Sequence, residues 1–113
     1  MDLITINLKD NMPPVDVAIC NMELEIEIAK ISGVKAIKFI HGYGSSGVGG
    51  IICKTVRERL FSLKKQKIIK EYIFGEDWNL ENPKCFKLIT TLKDGYDGED
   101  LNKCNSGMTI VFI

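Results

Sequence analysis

Lys35-Ala36-Ile37-Lys38-Phe39-Ile40-His41-Gly42-Tyr43-Gly44-Ser45-Ser46-Gly47-Val48-Gly49-Gly50 is the stretch that decides how this chain is read. A mostly apolar run ends at His41, five of the ten glycines follow, and a basic amphipathic segment starts directly after them. Glycine admits positive φ and close backbone approach. The first N–H groups of a following helix lack internal partners and carry partial positive charge. Strand, glycine loop and helix in this order form a candidate anion site.

Outward from the loop, the pattern alternates. Downstream, Ile52, Val56, Leu60 and Leu63 keep a helical period, with Lys54, Glu58 and Lys65 opposite, so a helix is expected from near Gly50. Upstream, Leu3–Leu8 reads as a strand, closed by the turn Lys9-Asp10-Asn11-Met12-Pro13-Pro14. From Val15 to Ser32 the apolar residues Val17, Cys20, Leu24, Ile28 and Ile31 fall three or four apart, which is helical spacing and predicts a helix. Glu23–Ile28 also alternates with period two, but the longer helical set and the stop at Gly33 decide for helix. Val34–Ile40, Ile68–Phe74 and Met108–Ile113 read as further strands. The long interval before the last strand calls for a third helix, capped by Asn82-Pro83, with Phe86, Ile89 and Leu92 in period and Asp94-Gly95 as its end. The order is βαβαβ-α-β, and alternation of strands with helices predicts an α/β fold with a mostly parallel four-stranded sheet.

At 113 residues the chain has room for one domain, spanning 1–113. With 45% apolar and 27% charged residues it reads as globular, without a membrane-spanning run or a secretory leader, and a cytoplasmic location is the expectation. Cys20, Cys53, Cys85 and Cys104 form no C-x-x-C pair and have one histidine to join them, so no metal site is expected. They read as reduced, mostly buried thiols. Net charge is zero, yet residues 51–74 hold seven Lys/Arg against two acids. Such a run is either a solvated helix face or a footprint for a polyanion.

Gly42-x-Gly44-x-x-Gly47 matches the dinucleotide fingerprint in form only. Val48-Gly49-Gly50 prolong the loop where the fingerprint is already helical, and the chain is too short for two mononucleotide-binding halves. A P-loop fails too, because Lys54-Thr55 comes a turn into the helix.

Lys38-Phe39-Ile40-His41-Gly42-Tyr43-Gly44-Ser45-Ser46-Gly47, a helix carrying Lys54 and Arg57, and a terminal Gly107-Met108-Thr109-Ile110-Val111 together resemble the small MutS-related (Smr) domain. The resemblance spans Ile4 to Ile113 and implies a two-layer α/β sandwich and nucleic-acid association, with DNA or RNA left open. Phosphate contacts would fall to His41, Gly42, Tyr43, Gly44, Ser45, Ser46, Gly47, Gly49, Gly50, Lys54 and Arg57. No cofactor and no membrane is implied. Family members with endonuclease activity carry Leu-Asp-x-His at the end of strand one, where this chain reads Ile6-Asn7-Leu8-Lys9. The carboxylate and imidazole are missing, which leans the reading away from an enzyme.

His41 has two readings: a ring that holds the glycine loop in shape, or a phosphate ligand and catalytic acid–base group. Tyr43 either stacks on a base or packs on the helix. An endonuclease using His41 with a bound metal or Asp10 is one alternative. A protein-interaction module, working through an insertion at about 75–105 that contains Trp78, is the other.

Overall fold

The computed structural model describes residues 2–42, 48–92 and 98–113, with backbone only for Val48 and Gly49. Its order is β1 (Leu3–Asn7), α1 (Val15–Ser32), β2 (Ala36–Ile40), α2 (Val48–Lys65), β3 (Glu71–Phe74), a 3-10 turn (Gly75–Asp77), α3 (Pro83–Ile89) and β4 (Met108–Phe112). Glu23–Ile28 is helical, as the longer period predicts.

The sheet order is β1-β2-β4-β3. β1 and β2 pair in parallel, but β4 runs antiparallel to both β2 and β3. The sheet is therefore mixed, and the expectation of a mostly parallel one is corrected. Alternation does give β1, β2 and β3 one common direction. It fails at β4 because the segment after β3 leaves and returns at the same end of the sheet. Gly75 shows this: a Cβ built there would lie 1.8 Å from the Asn105 carbonyl oxygen. A chain that re-enters at the end it left must run back antiparallel.

Both faces of the sheet are covered. Ile37, Phe39 and Val111 point to α1 and α2, while Ala36, Ile73, Ile110 and Phe112 point to a second core holding Trp78, Cys85 and Leu92. α3 and its flanks thus add a layer to the expected two. β4, central and covered on both sides, is buried at every residue. Trp78 is fully buried, so its indole fills the core rather than a partner's pocket.

α1 is the helix that the spacing predicts, and it buries the side opposite to the apolar row that gave that spacing. Its buried face is Ala18, Met22, Ile26 and Ala29, whereas Val17, Cys20, Leu24, Ile28 and Ile31 are exposed. Both sets have helical spacing and lie on opposite sides, so periodicity could not choose between them. The alanines at the contact carry little hydrophobic signal of their own. α2 behaves as read, with Ile52, Val56, Leu60 and Leu63 all buried, although it starts at Val48 rather than near Gly50. At its other end Lys67 takes φ 62° and the Ile68 N–H caps the Leu63 carbonyl at 2.9 Å, so β3 is shorter than the apolar run beginning at Ile68.

Asn82 caps α3 as expected, its Oδ1 accepting from the Lys84 N–H at 3.0 Å and the Cys85 N–H at 3.4 Å. The helix ends early, at Ile89. Thr90 and Thr91 turn their hydroxyls onto the Lys87 and Leu88 carbonyls at 2.6 and 2.7 Å, and Leu92 packs into the core from outside the helix. The expected stop at Asp94-Gly95 lies outside the described residues. The four cysteines are free, but only Cys85 is buried; Cys20 and Cys104 are exposed, contrary to the expectation of mostly buried thiols. Cys20 lies on the exposed side of α1, and Cys104 sits in the irregular approach to β4. Among the described residues no helix is long and apolar enough to cross a membrane.

Candidate nucleic-acid interface

Because β1, β2 and β3 share one direction, their carboxyl ends gather at one edge together with the start of β4. Ligands of α/β sheets bind at such ends. Here the edge brings together Lys9, His41, Gly42, the first turns of α2, Glu76 and Ser106.

His41 is fully buried and both ring nitrogens are engaged. Nδ1 donates to the Gly42 carbonyl at 2.8 Å, which fixes the proton on Nδ1, because a carbonyl can only accept. The neutral ring then presents Nε2 as an acceptor, and the Thr109 hydroxyl donates to it at 2.8 Å. Burial lowers the His41 pKa below the usual value; the Gly42 hydrogen bond pulls it up, the Arg57 charge down and Glu76 up. The backbone N–H groups of His41 and Gly42 both donate to the Gly107 carbonyl, each at 3.0 Å. The mouth of the glycine loop is therefore tied to the Gly107-Met108-Thr109 segment by side chain and backbone alike.

Arg57 lies behind this arrangement. Its guanidinium donates to Glu76 through Nη1 at 2.9 Å and Nη2 at 2.6 Å, and Nη2 also donates to the Ser106 carbonyl at 3.1 Å. It stacks 4.1 Å from the Phe74 ring centroid. Burial pushes the Glu76 carboxyl up, but the paired hydrogen bonds and charge of Arg57 outweigh it and hold the group below the usual carboxylate range. Nε of Arg57 is buried without a hydrogen-bond partner among the described residues.

Lys9 and Lys54 make no such contacts among the described residues. Gly42 takes φ +78°, and a Cβ there would lie 3.5 Å from Cδ of Lys9, so the Lys9 side chain crosses the loop mouth. Lys9 is positioned by a turn in which its N–H donates to Asn7 Oδ1 at 3.0 Å. Lys54 projects from the second turn of α2 and is exposed. Neither ammonium has an ion-pair partner among the described residues. Gly49 and Gly50 fall in the first turn of α2. Tyr43, Gly44, Ser45, Ser46 and Gly47 lie outside the described residues. Among the described residues no cluster of His, Cys, Asp and Glu could hold a metal ion.

Sequence reasoning missed Lys9, Thr109, Glu76 and Ser106 as parts of this edge. Thr109 stood within the terminal Gly107–Val111 motif, and Lys9 within the departure from Leu-Asp-x-His; their approach to the loop was not deducible from spacing. Glu76 carried no local signal, since only the mixed topology brings the end of β3 beside α2.

No protein-family model and no curated protein sequence matches the chain. Among solved structures, the chain is similar to the Smr domain of Thermus thermophilus MutS2, with a TM-score of 0.56 and 16% identity over 99% of this chain and 96% of that one. The chain has the fold of an Smr domain.

Proposed function

We propose that this chain binds nucleic acid, DNA or RNA, by seating backbone phosphates at the glycine-rich segment Gly42–Gly50, which runs into the first turn of α2, with Lys9 and Lys54 supplying charge. The observation that carries the reading is the division of cations at this edge. Arg57 is committed to Glu76 and Ser106, whereas Lys9 and Lys54 face outward unpaired among the described residues, beside a helix N-terminus. Tyr43, Gly44, Ser45, Ser46, Gly47, Gly49 and Gly50 supply N–H groups, hydroxyls and an aromatic ring to the same ligand.

In this reading His41 and Arg57 are positioning residues. His41 would have to surrender the Thr109 hydroxyl to reach a substrate, so its role is to hold the loop mouth on β4. Arg57 fixes the floor of the site through Glu76. An Smr fold, whose solved relative is a domain of MutS2, agrees with a nucleic-acid ligand. The test is a chemical-shift titration of the isotope-labelled chain with short single-stranded, duplex and hairpin nucleic acids. Shifts concentrated at Lys9, Gly42 and residues 48–54 support the reading. Shifts confined to α3 or the outer face of α1, or none at low ionic strength, contradict it.

A further inference from the structure

α1 is apolar on two opposite sides, and the fold uses only one. Ala18, Met22, Ile26 and Ala29 meet the sheet, while Val17, Leu24, Ile28 and Ile31 are 43%, 56%, 46% and 86% exposed, with exposed Cys20 completing the row. At 3.6 residues per turn these five fall within a sector of about 80° and run for about 21 Å along the helix. Isolated exposed apolar residues are ordinary; a continuous stripe of them is a mark of an interaction surface.

The spacing of the stripe indicates what covers it. Cys20 and Ile28 stand four residues to either side of Leu24, and Val17 and Ile31 stand seven to either side. The row is therefore symmetric about its centre. A twofold contact requires one patch to complement itself. We propose that two copies of this chain pair through α1, antiparallel, about a twofold axis at Leu24.

In that arrangement Leu24 meets Leu24 of the second copy, Cys20 meets Ile28, and Val17 meets Ile31. The charges at the two ends of the row agree with the direction. Asp16 and Lys30, both exposed, lie on the same flank of the stripe near its opposite ends. Antiparallel pairing sets each Asp16 near Lys30 of the second copy, and parallel pairing leaves them a helix length apart. Glu23 and Glu27 lie on that flank too, nearer its middle, Glu23 paired with Arg59 within its own chain and Glu27 exposed. Size sets the strength. Two helices of this length bury on the order of 1,000 Å² in total, at the low end of specific interfaces. The pair is then a weak dimer, with a dissociation constant on the order of 10–100 μM.

The experiment is sedimentation equilibrium of the full chain from about 5 to about 500 μM, a range that brackets this constant. The proposal expects reversible dimerisation in the wild type. Leu24→Glu, at an exposed position that leaves the fold intact by circular dichroism, should weaken it at least about tenfold by placing two carboxylates on the axis. A wild type that stays monomeric throughout, or a Leu24→Glu chain that dimerises equally well, overturns it. Direction is read by cross-linking in a background with Cys20→Ser and Cys104→Ser. Val17→Cys and Ile31→Cys chains should cross-link when mixed and far less when each is alone. Cross-linking of each chain with itself, and not of the mixture, overturns the antiparallel arrangement.

Discussion

The Thr109 hydroxyl lies 2.8 Å from Nε2 of His41, joining the central strand β4 to the mouth of the glycine loop inside the protein. Two motifs 68 residues apart in sequence thereby meet as one hydrogen-bonded unit, closed by the Gly107 carbonyl. Such a unit is stable only while the ring is neutral, because protonation would put an uncompensated charge in a buried site.

pH dependence follows from that neutrality. The His41 pKa is lowered from the ordinary 6.5, chiefly by burial. Between the folded value and 6.5 the unfolded chain binds more protons, so stability rises with pH through this window and is lost as pH falls below 6.5. With one histidine in the chain, no other imidazole contributes. Chemical denaturation from pH 7 downward should show the slope, and His41→Ala should remove it while costing about 2–4 kcal/mol through poorer packing and unpaired partners. A folded-state His41 pKa at or above 6.5, by NMR titration, would contradict the assignment.

Gly75, just past the end of β3, is where the chain returning toward β4 packs against the turn. A Cβ there would stand 1.8 Å from the Asn105 carbonyl oxygen and 2.8 Å from that of Met108, both backbone atoms that cannot swing aside. Gly75→Ala should therefore destabilise the protein by about 2–4 kcal/mol in urea unfolding. A loss of less than about 0.5 kcal/mol would mean the segment before β4 yields easily.

Element type was largely legible in the sequence, and arrangement was not. Asn82-Pro83 announced α3 and Gly33 announced the end of α1, because caps act within a few residues. The direction of β4 depends on the end of the sheet at which the chain re-enters after β3, and no local pattern in Met108–Phe112 encodes it. Similarly, the spacing on α1 was compatible with either face, and the alanines that touch the sheet were the weaker signal. At the candidate site His41, Gly42 and Lys54 were found from residue type and order. Lys9 and Glu76 were brought there by tertiary structure alone.

Arg57 and Glu76 make a paired contact that is partly solvent-exposed, with side chains 18% and 38% accessible. A double-mutant cycle on Arg57→Met and Glu76→Gln should give a coupling of about 1 kcal/mol in stability. Arg57→Met costs more than Glu76→Gln because it also releases the Ser106 carbonyl and the Phe74 ring. Additive effects would show that the two side chains do not act together in solution.

Lys9 and Lys54 bear on the central claim most directly. The decisive measurement is fluorescence anisotropy of a labelled short nucleic acid, titrated with wild-type chain and with the Lys9→Ala/Lys54→Ala variant across a series of salt concentrations. If the two ammonium groups bind phosphate, the wild type binds more weakly as salt rises, and the variant binds more weakly still, with a salt slope shallower by about one for each phosphate that a lysine no longer neutralises. Both side chains are exposed, so the variant should keep its fold. A wild type that fails to bind any nucleic acid at low salt, or a variant whose affinity and slope equal the wild type's, would contradict phosphate binding at this edge.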